Sequence, residues 1–199
     1  MQVPTLNIED NYADLQKRVS EGDTAAFRII FDSLFSRLKL FAYSFVQNKE
    51  AAIEIVDDIF TKLWINRKHI TEINNLKVYL YTATKNASLN YLSAKAKEII
   101  TESYDYITIQ LVDNNTPEKL MVTQEFQKKI NEAIESLSPR CKLVFKLVRE
   151  DGLKYAEVAN ILNLSIKTVD NQMVIAVSKI RESVKVILNI NNSKVFLKK

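Results

Sequence analysis

An all-α fold, two small helical domains joined by a linker with a helix-turn-helix in the second, is the architecture this 199-residue sequence predicts. Three observations predict it. The chain holds only 2 Gly and 3 Pro, too few for the sharp turns of hairpins and sheets. Apolar residues recur at helical spacing along most of its length. That spacing fades over residues 98–116, where β-branched residues, Asp and Asn cluster. The expected boundaries are a first domain at 10–97, a linker at 98–116 and a second domain at 117–188.

In the first domain, Asp10 to Ser20 reads as a short helix carrying Leu15 and Val19, ending at Gly22. Asp23 or Thr24 then caps a long helix. Its stripe of Phe27, Ile30, Phe31, Leu34, Phe35, Leu38, Phe41 and Phe45 is most simply a packed core. A third helix, about 49–68, is expected to bury Ile53, Val56, Ile59, Phe60 and Leu63, with Trp64 facing the core as well. A fourth, about 75–97, holds Leu76, Leu80, Ala83, Ala87, Leu89 and Leu92. The linker still contains Tyr104, Tyr106, Ile107, Ile109, Leu111 and Val112, more apolar groups than a solvated tether carries, so it is expected to dock.

The second domain starts near Pro117 with a helix through Phe126, Ile130, Ala133, Ile134 and Leu137. Ser138-Pro139 begins another, with Leu143, Val144 and Leu147 inside, ending at Asp151-Gly152. A short helix from Tyr155 to Leu162 presents Val158, Ala159 and Leu162 on one face. Asn163 follows where a left-handed turn residue is needed, and Asn tolerates positive φ better than any residue except Gly. Leu164 plugs the corner, and Ser165 caps a last helix with inner face Val169, Met173, Ala176 and Ile180, reaching about Leu188. The basic tail beyond it is expected to fray. Small Ala159 lets the two helices cross closely. The outward face offers Lys167, Thr168, Asn171 and Gln172, side chains able to bond phosphates and base edges in a major groove. A helical hairpin in an ordinary bundle is the bland alternative.

Composition removes other classes. One Cys excludes an internal disulfide framework, and one Cys with one His cannot make an ordinary zinc site. No metal or cofactor is expected. No Gly-rich phosphate loop and no nucleophile with a credible base is found, so no catalytic residue is assigned and an enzyme is not expected. His69, in the run Asn66-Arg67-Lys68-His69, reads as an exposed imidazole, and Cys141 as a small surface or half-buried residue. The N-terminus has no signal-peptide pattern and the apolar runs are short and broken by charge, so no membrane insertion and a cytoplasmic location are expected.

The net charge is only +4, but its placement is uneven. From Ile73 to Lys97 there is no acid, against Lys77, Lys85, Lys95 and Lys97. From Glu98 to Ser136, eight acids face Lys119, Lys128 and Lys129. From Lys167 onward, seven Lys or Arg face Asp170 and Glu182. Two basic segments separated by an acidic one suggest two nucleic-acid contacts.

The motifs LSPRCKLVF, DGLKYAEVA and LNLSIKTVDNQM at 137–173 resemble region four of the extracytoplasmic-function (ECF) sigma factors of the sigma-70 family. Independently, IVDDIFTKLW at 55–64 resembles the region-two helix of that family, and LKVYLYTATKNASLNYL at 76–92 resembles its promoter-melting segment. Asn163 stands where the family usually has Gly, Asp57 where it has Gln, and Ala51 where an acid is common.

The resemblance implies an alternative sigma factor with core RNA polymerase and promoter DNA as partners. Glu54, Asp57 and Asp58 would meet the polymerase. Asn86 would sit at the base pocket of the minus-ten element, with Lys85, Lys95 and Lys97 on phosphates. Tyr79, Tyr81 and Tyr91 either stack on bases or pack in the core, the core being the simpler reading. Lys167, Thr168, Asn171 and Gln172 would read the minus-thirty-five element. An anti-sigma factor, membrane-bound in some of the family, is a further expected partner. Two rivals stand beside this reading: a helix-turn-helix activator that is not a polymerase subunit, and an adaptor bundle with no DNA role.

Overall fold

The computed structural model describes residues 12–98 and 121–196, the side chains of 97–98, 121–127, 184 and 186–196 excepted. The expected linker at 98–116 lies outside the described residues, apart from the helical backbone of Glu98, and its docking is not addressed by them. Every regular element among the described residues is a helix, and the chain divides into two compact units, Met1–Leu111 and Val112–Lys199.

In the first unit, α1 (Tyr12–Ser20) is followed by α2 (Thr24–Val46). Asp23 caps α2: its carboxylate accepts the N–H groups of Ala25 and Ala26 at 2.8 and 3.0 Å and the Arg18 guanidinium at 2.8 Å. The helix stops because Gln47 takes a left-handed conformation at φ 52°. Asn48 then accepts the Ala51 N–H and starts α3 (Lys49–Ile65).

The expected continuation of α3 to Lys68 is not seen. Asn66 folds back on the Lys62 carbonyl through both its backbone N–H and its side-chain amide, and residues 67–72 form a 3-10 helix. Gln16, buried on α1, holds this segment by donating to the carbonyls of Ile70 and Ile73 at 2.6 and 2.8 Å. Asn75 then caps α4 (Leu76–Glu98) through the Val78 N–H.

The long helix α2 is the centre of this unit and packs on α1, α3 and α4. Its largest fully buried side chains are Ile30, Leu34 and Leu38. The phenylalanines line the edges of that stripe: Phe31 stacks on Phe35 and meets Phe60 of α3, Phe27 leans on Trp64, and Phe41 meets Tyr81 edge-on. Trp64 is half-buried, with the Arg67 guanidinium 4.8 Å above its ring. Ile53, expected inside, is exposed.

In the second unit, α5 (Met121–Glu135), α6 (Pro139–Arg149) and α7 (Tyr155–Leu162) all pack on α8 (Ile166–Phe196). The last helix therefore continues past the expected end near Leu188. Gly152, at φ 69°, makes the turn out of α6. Val144, Leu147, Val158, Ile161, Val169 and Ala176 form the centre. Lys179 fixes the far end of α5 by donating to the Ser136 carbonyl at 2.7 Å, and buried Lys142 pairs with Glu135 at 2.7 Å.

Candidate nucleic-acid interface

The corner between α7 and α8 takes the form the residues called for. Asn163 is left-handed at φ 54°, ψ 50°, and the next N–H, of Leu164, bonds to the Ala159 carbonyl at 2.8 Å. The start of α7 is closed by Glu157, whose carboxylate accepts the Lys154 N–H. Ser165 Oγ accepts the Thr168 N–H at 3.0 Å and begins α8. Ala159 is buried where the helices cross, and Val169, Met173 and Ala176 form the packed side of α8. On α7 Ile161 is fully buried together with Val158, whereas Leu162 is half-buried. Ile161 lies about 60° to one side of Val158 around α7 and Leu162 about 40° to the other, and it is the Ile161 side that faces the interior.

Opposite the packed side of α8, Lys167 and Asn171 are exposed. The other two expected readers are less free. Thr168 is half-buried and its hydroxyl lies 2.8 Å from that of Ser165. Gln172 is half-buried on the flank toward α6, where its carbonyl accepts the thiol of Cys141 at 3.2 Å. Cys141 itself is fully buried among Leu137, Phe145 and Ala176, not at the surface, and burial pushes its thiol above the ordinary value. A buried, protonated thiol is a packing group and not a nucleophile.

On α4 the site is arranged differently from expectation. Tyr79, Asn86 and Leu89 are exposed and fall on one side of the helix with Thr82, Asn90 and Ser93. This side is uncharged, aromatic and amide-bearing. Lys85 is not on it: it is 6% exposed and lies with Tyr81 and Ser88 on the packed side. The reason is again rotation, since residues 81, 85 and 88 repeat at helical spacing, and a Lys stem can lie along apolar surface. Lys77 is buried in the same sector. Lys95 is exposed, and the side chain of Lys97 is outside the described residues. Of the tyrosines, Tyr81 is core as expected and Tyr91 half-buried, but Tyr79 is 47% exposed.

The acids Glu54, Asp57 and Asp58 are all exposed along α3. Asp58 has only a 4.0 Å contact with exposed Lys62, which leaves the surface acidic. Exposed Ile53 and Ile65 flank the acids. The sequence reading missed both, and plotting α3 at 100° per residue would have shown Ile65 on the acidic side. His69 is exposed as expected, 2.8 Å from Glu72. Among the described residues no three His, Cys, Asp or Glu gather into a metal site, and no helix is long and apolar enough to cross a membrane.

Comparison with known proteins matches these two units to two parts of one family. Residues 30–98 match Sigma-70 region 2, and residues 127–180 match Sigma-70 region 4, together well over half of the chain. The chain is 25% identical over 167 residues to the ECF RNA polymerase sigma-E factor of Haemophilus influenzae, covering 80% of this chain and 87% of the relative. It is 24% identical over 166 residues to the sigma-E factor of Escherichia coli, covering 80% and 86%. Among solved structures it resembles the sigma factor RpoE of Bartonella quintana, determined with the anti-sigma factor NepR. That match has a TM-score of 0.55 and 22% identity over 80% of this chain and 97% of the other, a likeness of fold. With the region-2 and region-4 matches in family order, on units that each have the expected helical form, the chain belongs to the ECF sigma factors of the sigma-70 family.

Proposed function

We propose that the chain acts as an alternative sigma factor, directing core RNA polymerase to specific promoters and assisting their opening. The observation that carries this is the presence, in one chain, of a helix-turn-helix unit and another unit with an acidic helix, α3, and a helix, α4, that has no acid from Leu76 to Lys97. A helix-turn-helix activator that is not a polymerase subunit would leave the surfaces of α3 and α4 without a use. The protein is a regulator and not an enzyme, works in the cytoplasm where polymerase is, and carries no cofactor. An anti-sigma factor, as held by the Bartonella relative, is part of the proposal as an inhibitor.

Each surface has a role. The acids Glu54, Asp57 and Asp58 meet basic residues of the polymerase. On α8, Lys167 holds phosphate and Asn171 reads a base edge, with Thr168 and Gln172 contributing from the flanks. On α4, Asn86 receives an extruded minus-ten base. Extrusion costs a few kcal/mol of unstacking, and an exposed ring such as Tyr79 returns part of it, about 1–3 kcal/mol per stacked base. Lys95, about half a turn round α4 from Asn86, and Lys97 hold phosphates further along the strand. Lys85 serves there only by extending its ammonium along the flank.

The test is assembly. The double substitution Asp57→Lys/Asp58→Lys should abolish capture of core polymerase while leaving the helical spectrum and unfolding transition unchanged, because both acids are exposed. Undiminished capture would remove α3 from the polymerase interface.

A further inference from the structure

Past Asn171 the outward side of α8 turns apolar. Val174 is 61% and Ile175 51% exposed, where a solvated helix would ordinarily show polar groups. At 100° per residue, Val174 stands within about 20° of Lys167, and Ile175 within about 40° of Asn171, around the helix axis. Between Lys167 and Lys179 the only charged residue is Asp170, so this stretch has no cation with which to hold phosphate. A rise of 1.5 Å per residue puts the pair roughly 4.5–6 Å beyond Asn171 along the axis, about one to two base-pair steps. In the major groove the apolar group that distinguishes one base from the others is the C5-methyl of thymine.

From this we infer that Val174 and Ile175 read thymine methyl groups beside the base pair addressed by Asn171. The minus-thirty-five elements of this protein's promoters then carry thymine at one or two fixed positions next to that pair. The inference rests on the proposed function and names a specificity element within it. Val174 also borders a cavity of about 390 Å³ with Tyr155, Met173, Val177, Ser178 and Arg181. Ile175 does not line that cavity, and it is the alignment of both residues with Lys167 and Asn171 that directs them to DNA.

The experiment uses holoenzyme assembled from the full chain and core polymerase to enrich duplexes from a random pool. The minus-thirty-five element is the one whose sequence preference changes in the Asn171→Ala variant. Each of its thymines is then replaced by deoxyuridine, which removes only the methyl. Binding should weaken about fourfold at one or two positions, the factor that one methylene-sized apolar group carries. The double variant Val174→Ala/Ile175→Ala should bind the thymine and deoxyuridine duplexes alike. Ile166→Ala, exposed but off this line, should keep the difference. Equal binding of both duplexes by the unsubstituted protein would overturn the inference. So would a double variant that still discriminates, or one that folds but no longer joins polymerase, since the pair would then be a protein-docking face. If no sequence is enriched at all, the proposed function falls and the inference with it. If sequences are enriched but their methyls are ignored, only the inference falls.

Discussion

On α8 the packed side is apolar, with Val169, Met173 and Ala176 at most 2% exposed, while Lys167 and Asn171 stand outward. On α4 the division is weaker: Leu76 and Leu80 are buried, but polar groups are buried with them. Its packed side includes Lys77, Tyr81, Thr84, Lys85 and Ser88, and its outward side shows Tyr79 and Leu89 beside Asn86. A helix that reads an intact groove needs polar groups where it meets phosphates and base edges. From Lys167 to Asn171, before exposed Val174 and Ile175, the ordinary rule of polar-out, apolar-in coincides with the proposed use. A helix that receives unstacked bases gains from flat and apolar groups outside, so the rule and the function part company. Sites where local rules fail are where function is expected.

The strongest test of this contrast compares two tyrosines on one helix. Tyr81 is fully buried and packs edge-on against Phe41 at 5.1 Å. Tyr81→Ala should destabilise the first unit by about 3–5 kcal/mol, read from urea denaturation. Tyr79→Ala should change stability by no more than about 0.5 kcal/mol and instead slow promoter opening, followed with fluorescent base analogues in the minus-ten region. Equal destabilisation by both would erase the distinction between the two sides of α4.

The next test addresses why α8 lies where it does. Asn163 alone places the turn in the left-handed region. Asn163→Ala should cost roughly 1–2 kcal/mol, the penalty for that conformation in an ordinary residue, while Asn163→Gly should be close to neutral. Thermal unfolding of the two variants checks this. No single turn residue plays such a part before α4, where a 3-10 helix and two hydrogen bonds from Gln16 set the approach.

The smallest effect separates the helix starts by pH. Asp23 caps α2 with a carboxylate held below its ordinary value of 3.8, chiefly by the Ala26 N–H and then by Arg18. Its contribution is therefore complete above 3.8 and is lost as pH falls through the lower folded value. Ser165 caps α8 with a hydroxyl, which does not titrate. On acidification below 3.8, amide exchange should quicken at Ala25 and Ala26 and not, by this route, at Thr168. Asp23→Asn should remove the acid response at α2. Unaltered exchange at Ala26 through that range would show that the carboxylate is not its acceptor.

What the sequence made legible follows from the same contrast. The corner Asn163-Leu164-Ser165 and the stripe Val169-Met173-Ala176 could be placed because each position needed a particular residue type. The aromatic stripe of α2 and the acids of α3 were legible for the same reason. The end of α3 was not, because Asn66 ends it through hydrogen bonds to Lys62 and no Gly or Pro marks the place. The burial of Lys85 is not legible, because residue type does not separate an exposed Lys from one whose aliphatic stem packs along apolar surface. Tyr79 and Tyr81 were indistinguishable by residue type, and only their rotation about α4 separates them. Cys141 reads from the sequence as a surface or half-buried residue, yet it is buried and faces α8, a packing that residue type alone does not show.

The central claim is that these two units together give core polymerase a promoter preference it does not have alone. Sequencing the 5′ ends of RNA made from genomic DNA by core polymerase, with and without the chain, tests this most directly. The account predicts a small set of defined start sites that appear only with the chain, each preceded by the same two sequence elements. Start sites as scattered with the chain as without it would contradict the account.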